Sequence, residues 1–197
     1  MTALHALAAA LLLLAGAEPA SAHTVIQGLD GFPGGILHPF FVPAHVVSLF
    51  AVGLLIGQQR AAHRGWLLLT FAAALVGAIG LVVSAFAFNE ADSVLLAAGG
   101  LAGLLVALAF PLALLLSGPL VAIAGLALEL DSVPETISTD ETLRALLGSA
   151  LGAWLAVTLT VSATVPLRRE WQRIGMRVVG SWMAASAILV LTLRFAR

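Results

Sequence analysis

Three of the chain's five histidines, His23, His38 and His45, lie just before or inside its first long apolar stretch. Ionisable groups are costly inside a membrane and mark ion or proton paths, and imidazole is a common metal ligand. Imidazole together with carboxylate favours nickel, cobalt, zinc or copper(II) over calcium and magnesium. The sequence therefore predicts a transition-metal site, with His38 and His45 as central ligands and His23 as a capture ligand.

The chain near these histidines is rich in proline, which affects their spacing. His38 precedes Pro39, so we expect His38 in an extended entry segment and a helix that begins at Pro39 or Pro43. In one continuous helix, the seven-residue step from His38 to His45 would separate the two rings by about 10 Å along the axis. A bend at the two prolines is therefore needed to bring both rings to one ion.

Carboxylates for the same site are available at the end of a later apolar stretch, where Glu129 and Asp131 are candidate auxiliary ligands. Each candidate also has an interpretation without metal. The two acids fit a solvated loop, His38 fits an interfacial residue, and His45 fits a ring bonded to a neighbouring carbonyl or hydroxyl group. His63 is flanked by arginines and is interpreted as a solvated or headgroup-facing residue.

The composition identifies an integral membrane protein, because 61% of the 197 residues are hydrophobic and only 10% are charged. The absence of cysteine excludes disulfides, thiolate metal sites and iron–sulfur clusters. All nine basic residues are arginines, and nothing suggests a nucleic-acid partner. No nucleophile–base constellation predicts an enzyme, and no phosphate-binding loop predicts an ATP-driven pump.

The first 22 residues are interpreted as a cleaved signal peptide. An apolar core over 6–15 is followed by Ala20-Ser21-Ala22, which has the A-x-A form of a cleavage site. The alternative is an uncleaved first helix, although this core is shorter than the ~20 residues that span a bilayer. Cleavage would make His23 the first residue of a mature domain covering 23–197.

The mature domain is predicted to be an all-α polytopic membrane bundle of about six helices. The apolar spans cover about 40–57, 66–88, 93–109, 111–129, 143–165 and 174–195. Only short proline-containing steps divide the third span from the fourth, so a count of five remains open. The loops at 60–64 and 168–173 hold arginines and the opposite loops hold acids, which predicts both termini outside in a multi-pass arrangement.

Small residues recur at four-residue spacing in two of these spans. Gly53 with Gly57, and Gly148 with Gly152, form small-xxx-small pairs. Such pairs let helix backbones approach closely in membranes, so we interpret them as packing sites.

The N-terminal segment resembles the HupE/UreJ family of hydrogenase and urease accessory membrane proteins. The resemblance rests on Ala22-His23-Thr24, Gly31-Phe32, His38-Pro39, His45 and Ala51-Val52-Gly53-Leu54. The family's first helix carries a histidine, five residues and an Asp-His pair; here Ala44 stands at the aspartate position. A second family motif falls on 123–131, where Gly125 and Ala127 are kept, Asp131 replaces a glutamate and histidine is absent.

The resemblance implies a six-helix protein of the bacterial inner membrane that imports nickel or cobalt for metalloenzyme maturation, with no tightly bound cofactor. Because only neutral imidazole ligates a metal, uptake is expected to fall as the pH drops through the histidine range. The alternative is a non-transporting accessory or scaffold protein that assists hydrogenase or urease assembly and binds maturation proteins. Haem ligation by histidine pairs is a weaker idea, since the other spans contain no histidine.

Overall fold

The computed structural model describes residues 31–110, 112–134 and 138–196, which fold into seven α-helices without any strand. The helices are α1 (Gly31–Phe41), α2 (Pro43–Gln58), α3 (Ala61–Val83), α4 (Ala91–Leu108), α5 (Leu114–Asp131), α6 (Thr139–Thr164) and α7 (Glu170–Phe195). The predicted all-α class is therefore confirmed. The predicted leader and His23 lie outside the described residues.

Helices α3 to α7 are each long and apolar enough to cross a membrane. Helices α1 and α2 pass the same test only as a pair, and they are bent by 77° at the break between them. The described part of the chain thus holds five candidate spans, or six if the bent pair counts as one. This agrees with the predicted bundle of about six membrane helices.

Helix α3 differs from its predicted span by five residues at each end. It begins at Ala61 rather than at 66, so that Gly65 lies inside the helix, and it ends at Val83 rather than at 88. Ala85 has a left-handed backbone with φ of 60°, which a helix cannot include. The apolar residues after Val83 therefore belong to a loop.

Helix α2 occupies the centre of the bundle and contacts α4, α6 and α7. Most of its residues are buried, including Leu49, Val52, Leu55 and Ile56. Helices α3 and α5 lie against each other beside this centre, α1 lies along α6, and α7 lies along α4. A residue on the inner face of α2 is therefore shielded from lipid and water by its neighbours.

The glycine pair in α2 lets this helix approach α6 closely. A Cβ atom added at Gly53 would lie 2.6 Å from the Cβ of Thr160, and one added at Gly57 would lie 2.6 Å from the Cβ of Thr164. These separations are far below the 3.5–4.0 Å of ordinary carbon contacts. The interpretation of this pair as a packing site is confirmed.

The glycine pair in α6 receives the backbone of α1. A Cβ atom at Gly148 would overlap the carbonyl oxygen of Phe32, and one at Gly152 would overlap that of Ile36. Gly35 of α1 faces Ala145 in the same way, because its added Cβ would overlap the Ala145 carbonyl oxygen. Helix α1 is therefore seated on α6 by backbone contact, in agreement with the predicted packing role.

Candidate metal site

The central feature of the site is a contact between two helices, His45 in the first turn of α2 and Asp131 at the last residue of α5. The Nε2 atom of His45 lies 2.8 Å from Oδ2 of Asp131. The imidazole is fully buried, whereas the side chain of Asp131 is 25% exposed. The pair thus joins a buried ring to a carboxylate at the edge of the bundle.

This hydrogen bond determines what the other ring nitrogen of His45 can do. An ionised carboxylate only accepts hydrogen bonds, so Nε2 of His45 must donate its proton to Asp131. In neutral imidazole, Nδ1 then carries the lone pair, and this atom is buried with no hydrogen-bond partner among the described residues. Metal-binding histidines typically donate their second nitrogen to a carboxylate in this way. The pair can therefore present Nδ1 of His45 to a metal ion.

His38 lies next to this ring. The ring centres of His38 and His45 are 5.3 Å apart and the ring planes are inclined by 72°. Two imidazoles that bind one ion, each with its nitrogen about 2 Å from the metal, have ring centres roughly 5 Å apart. The 77° bend between α1 and α2 has closed the gap that a continuous helix would leave. The predicted convergence of these two rings at a bend is therefore confirmed.

The prediction that His38 lies in an extended segment is wrong, because His38 and Pro39 both belong to α1. The bias of a pre-proline residue against helix is a preference that packing can override. Here the α1 backbone is held against Gly148 and Gly152 of α6, which supports the helical conformation. The helix ends two residues after Pro39, at Phe41, where the bend begins.

A second contact fixes the depth of α2 in the bundle. The hydroxyl of Ser48, one turn after His45, donates a buried hydrogen bond of 3.1 Å to the carbonyl oxygen of Leu95 in α4. Gly99 permits this approach, because a Cβ at that position would overlap the Ser48 hydroxyl. His45 is thus positioned by α4 on one side and by Asp131 of α5 on the other.

Glu129 is separated from this pair by its orientation on α5. It is fully buried, and Ser149 of α6 lies beside its carboxyl group. Neither carboxyl oxygen of Glu129 nor the hydroxyl of Ser149 has a well-formed hydrogen bond within the described residues. A buried carboxyl group is stable when a proton or a cation neutralises it. Glu129 therefore forms a second polar position in the bundle rather than part of the histidine pair.

Ser149 was not predicted as a site residue, since serine and threonine recur along α6 without a pattern that points to a site. The described residues contain no group of three or more histidine, aspartate or glutamate side chains with the geometry of a metal site. They bring together His38, His45 and Asp131, while the predicted capture ligand His23 falls outside them.

The family model described as HupE / UreJ protein matches residues 10–190, which is most of the chain. No curated protein and no solved structure matched the chain. The match extends well beyond the N-terminal segment that carries His38 and His45 and includes all of the membrane helices up to α7. On this match the chain belongs to the HupE/UreJ family.

Proposed function

We propose that this protein takes up a divalent transition metal, nickel or cobalt, across the membrane for metalloenzyme maturation. The family to which it belongs is associated with nickel or cobalt uptake and with hydrogenase or urease accessory roles. The observation that supports uptake best is the contact of the buried His45 ring with Asp131, together with the His38 ring 5.3 Å from that of His45. The two imidazole rings provide nitrogen ligands of the type that nickel and cobalt prefer.

In this mechanism Asp131 acts as the positioning residue for His45. Its carboxylate holds the imidazole in the tautomer whose Nδ1 lone pair is available, and its negative charge favours a bound cation. Nδ1 of His45 and the ring of His38 then bind the metal as it enters. The bend between α1 and α2 joins the two ligands, so a change in this bend would change their separation and release the ion.

The charge on the two ends of the bundle supports a direction of uptake. The end that holds His45 carries two arginines, Arg144 and Arg194, and all but one of the acids among the described residues: Glu90, Asp92, Glu129, Asp131, Asp140 and Glu141. A surface of this sign raises the local concentration of cations. The opposite end carries most of the arginines. By the positive-inside rule, this end faces the cytoplasm. The proposed orientation places both termini outside, in the bacterial inner membrane.

Protons should compete with the metal. Only neutral imidazole ligates, so protonation of either histidine removes a ligand. Metal binding is therefore expected to weaken as the pH falls through the range in which histidines take up a proton.

The test is metal binding by the purified full-length protein, measured by titration calorimetry and metal analysis with nickel and with cobalt. Wild type should bind near-stoichiometric metal, and His45→Ala and His38→Ala should each bind it much more weakly. His63→Ala is the matched control, because His63 lies in α3 near the opposite, arginine-rich end. Equal binding by wild type and His45→Ala would refute the proposed site. Radiolabelled nickel uptake in cells that lack other importers then tests transport itself.

The second candidate function is a non-transporting accessory or scaffold protein for hydrogenase or urease assembly. It is favoured by the absence of a three-ligand group in the described part of the chain. This candidate predicts co-purifying maturation proteins and no metal flux, even where the purified protein binds metal. Uptake that depends on His45 would exclude it.

A further inference from the structure

A large cavity opens at the end of the bundle opposite the histidine pair. It has a volume of about 1330 Å³ and lies among the α2–α3, α4–α5 and α6–α7 connections. Five arginines line it: Arg60, Arg64, Arg168, Arg173 and Arg177. Its size exceeds the roughly 300–1,000 Å³ of pockets that hold small molecules.

The positive charge of this cavity is not balanced by the protein. Glu170 is the single acid in its lining, and none of the five arginines forms an ion pair within the described residues. At the other end of the bundle, by contrast, Arg144 pairs with Asp140 and Arg194 pairs with Asp92. The cavity therefore has an excess of positive charge that an anion would neutralise.

Two of the arginines show where an anion would be bound. Arg177 donates from Nε to the carbonyl oxygen of Ala107 at 2.7 Å, which holds its side chain while its terminal amino groups stay without a described partner. The Nε atom of Arg64 is buried and has no hydrogen-bond partner in the described chain. Arginine forks that lack partners match phosphate oxygens in geometry as well as charge.

The same cavity also has an apolar wall. Phe110, Leu114 and Ile174 belong to its lining, and each of them has an exposed side chain. The cavity is therefore amphipathic, because cationic and apolar side chains line it together. A ligand that fits both parts carries an anionic head and an apolar tail.

We propose that this cavity binds an anionic phospholipid, with the headgroup phosphate among the arginines and the acyl chains along Phe110, Leu114 and Ile174. Basic pockets between membrane helices bind anionic headgroups in this manner. The proposal does not depend on metal transport, because the cavity shares no residue with the histidine pair and lies at the opposite end of the bundle. A second copy inserted in the same orientation is a poor occupant as well, since its acids lie on the opposite membrane surface.

The test uses the full-length protein in a neutral detergent. Its unfolding midpoint is followed as phosphatidylglycerol or phosphatidylcholine is added, and retained lipid is counted by native mass spectrometry. Phosphatidylglycerol should raise the midpoint saturably and remain bound, whereas phosphatidylcholine should do neither. Arg60→Gln and Arg173→Gln should each weaken the apparent affinity about fivefold. Arg144→Gln removes an arginine that is also exposed but lies at the other end, and it should leave the affinity for phosphatidylglycerol unchanged.

Three results would overturn the proposal. Equal stabilisation by phosphatidylcholine would show that the headgroup charge is irrelevant. An equal loss in Arg144→Gln would show that the effect is general surface charge rather than this cavity. If inorganic phosphate or glycerol phosphate raised the unfolding midpoint as much as phosphatidylglycerol does at the same concentration, the ligand would be a free anion rather than a lipid.

Discussion

Gly152→Ala should weaken metal binding although Gly152 is not a ligand, because it supports the helix that carries His38. The new methyl group would overlap the carbonyl oxygen of Ile36 and lie 3.0 Å from its carbonyl carbon and 3.2 Å from its Cα. Ordinary carbon contacts are about 3.5–4.0 Å. These neighbours are backbone atoms that cannot rotate away, so α1 must shift from α6 by about 1 Å.

The expected net effect of Gly152→Ala on stability is modest. Overpacking costs about 1–3 kcal/mol, and the helix preference of alanine over glycine offsets about 1 kcal/mol of this. A shift of α1 moves His38 relative to His45, and a binding site tolerates only about 0.5 Å of such misplacement. We therefore expect the affinity for nickel to fall tenfold or more while the protein remains folded.

The assay is a double-mutant cycle with His38→Ala, read by nickel titration and by thermal unfolding in detergent. If Gly152→Ala acts by displacing His38, it should have no further effect on affinity once His38 is alanine. Gly80→Ala in α3 is the control, since a Cβ there meets no atom within 4 Å. Unchanged affinity in Gly152→Ala, or equal losses in both backgrounds, would refute the reasoning.

Four further variants test other contacts. Asp131→Ala leaves the buried Nε2–H of His45 without an acceptor, so the free energy of unfolding should fall by about 1–3 kcal/mol. The affinity for nickel should fall about 10- to 100-fold. Asp131→Asn keeps an acceptor and should lose less stability when both variants are compared by thermal unfolding and nickel titration. Gly53→Ala brings a methyl group 2.6 Å from Thr160 Cβ and should destabilise by about 1–3 kcal/mol in thermal unfolding. Arg194→Gln breaks a partly exposed pair with Asp92, so the midpoint should fall by the equivalent of less than about 1 kcal/mol, and less in high salt.

The histidine site could be predicted from the sequence only where its determinants are local. The prolines between His38 and His45 indicated a bend, and the structure has one of 77°. The helical state of His38 depends on Gly148 and Gly152, more than 100 residues later, so the pre-proline preference alone gave the wrong local structure. Local preferences are weak beside backbone packing of this kind.

The contact between His45 and Asp131 joins residues 86 apart in sequence. Residue types had suggested both as candidates, but their pairing depends on how α2 and α5 are placed in the bundle. The arginine-lined cavity is similar: loop charge predicted which membrane face the arginines occupy, whereas the enclosed space depends on three connections that are distant in sequence. The lengths of the apolar stretches therefore predicted the membrane spans, and the loop charges predicted their orientation. The sites themselves depend on tertiary packing.

The contact with Asp131 also bears on Ala44, which stands where the family pattern has aspartate: alanine at this position does not leave His45 without a carboxylate partner. The ring of His45 has a carboxylate partner after all, supplied by α5 rather than by the preceding residue. Asp131 thus contributes both a negative charge near the proposed metal site and a hydrogen bond between two helices. An aspartate at position 44, the second residue of α2, would supply only the charge, because adjacent helical side chains diverge by about 100°.

The double variant Ala44→Asp/Asp131→Ala separates these two contributions. Its nickel affinity should recover relative to Asp131→Ala, because a carboxylate in the first turn of α2 is favoured there and attracts the cation. Its thermal stability should stay low, because no group replaces the bond between α2 and α5. Recovery of both quantities would mean that the cross-helix bond contributes nothing to folding. Recovery of neither would mean that Asp131 acts through geometry alone, and that the charge beside His45 does not matter for the metal.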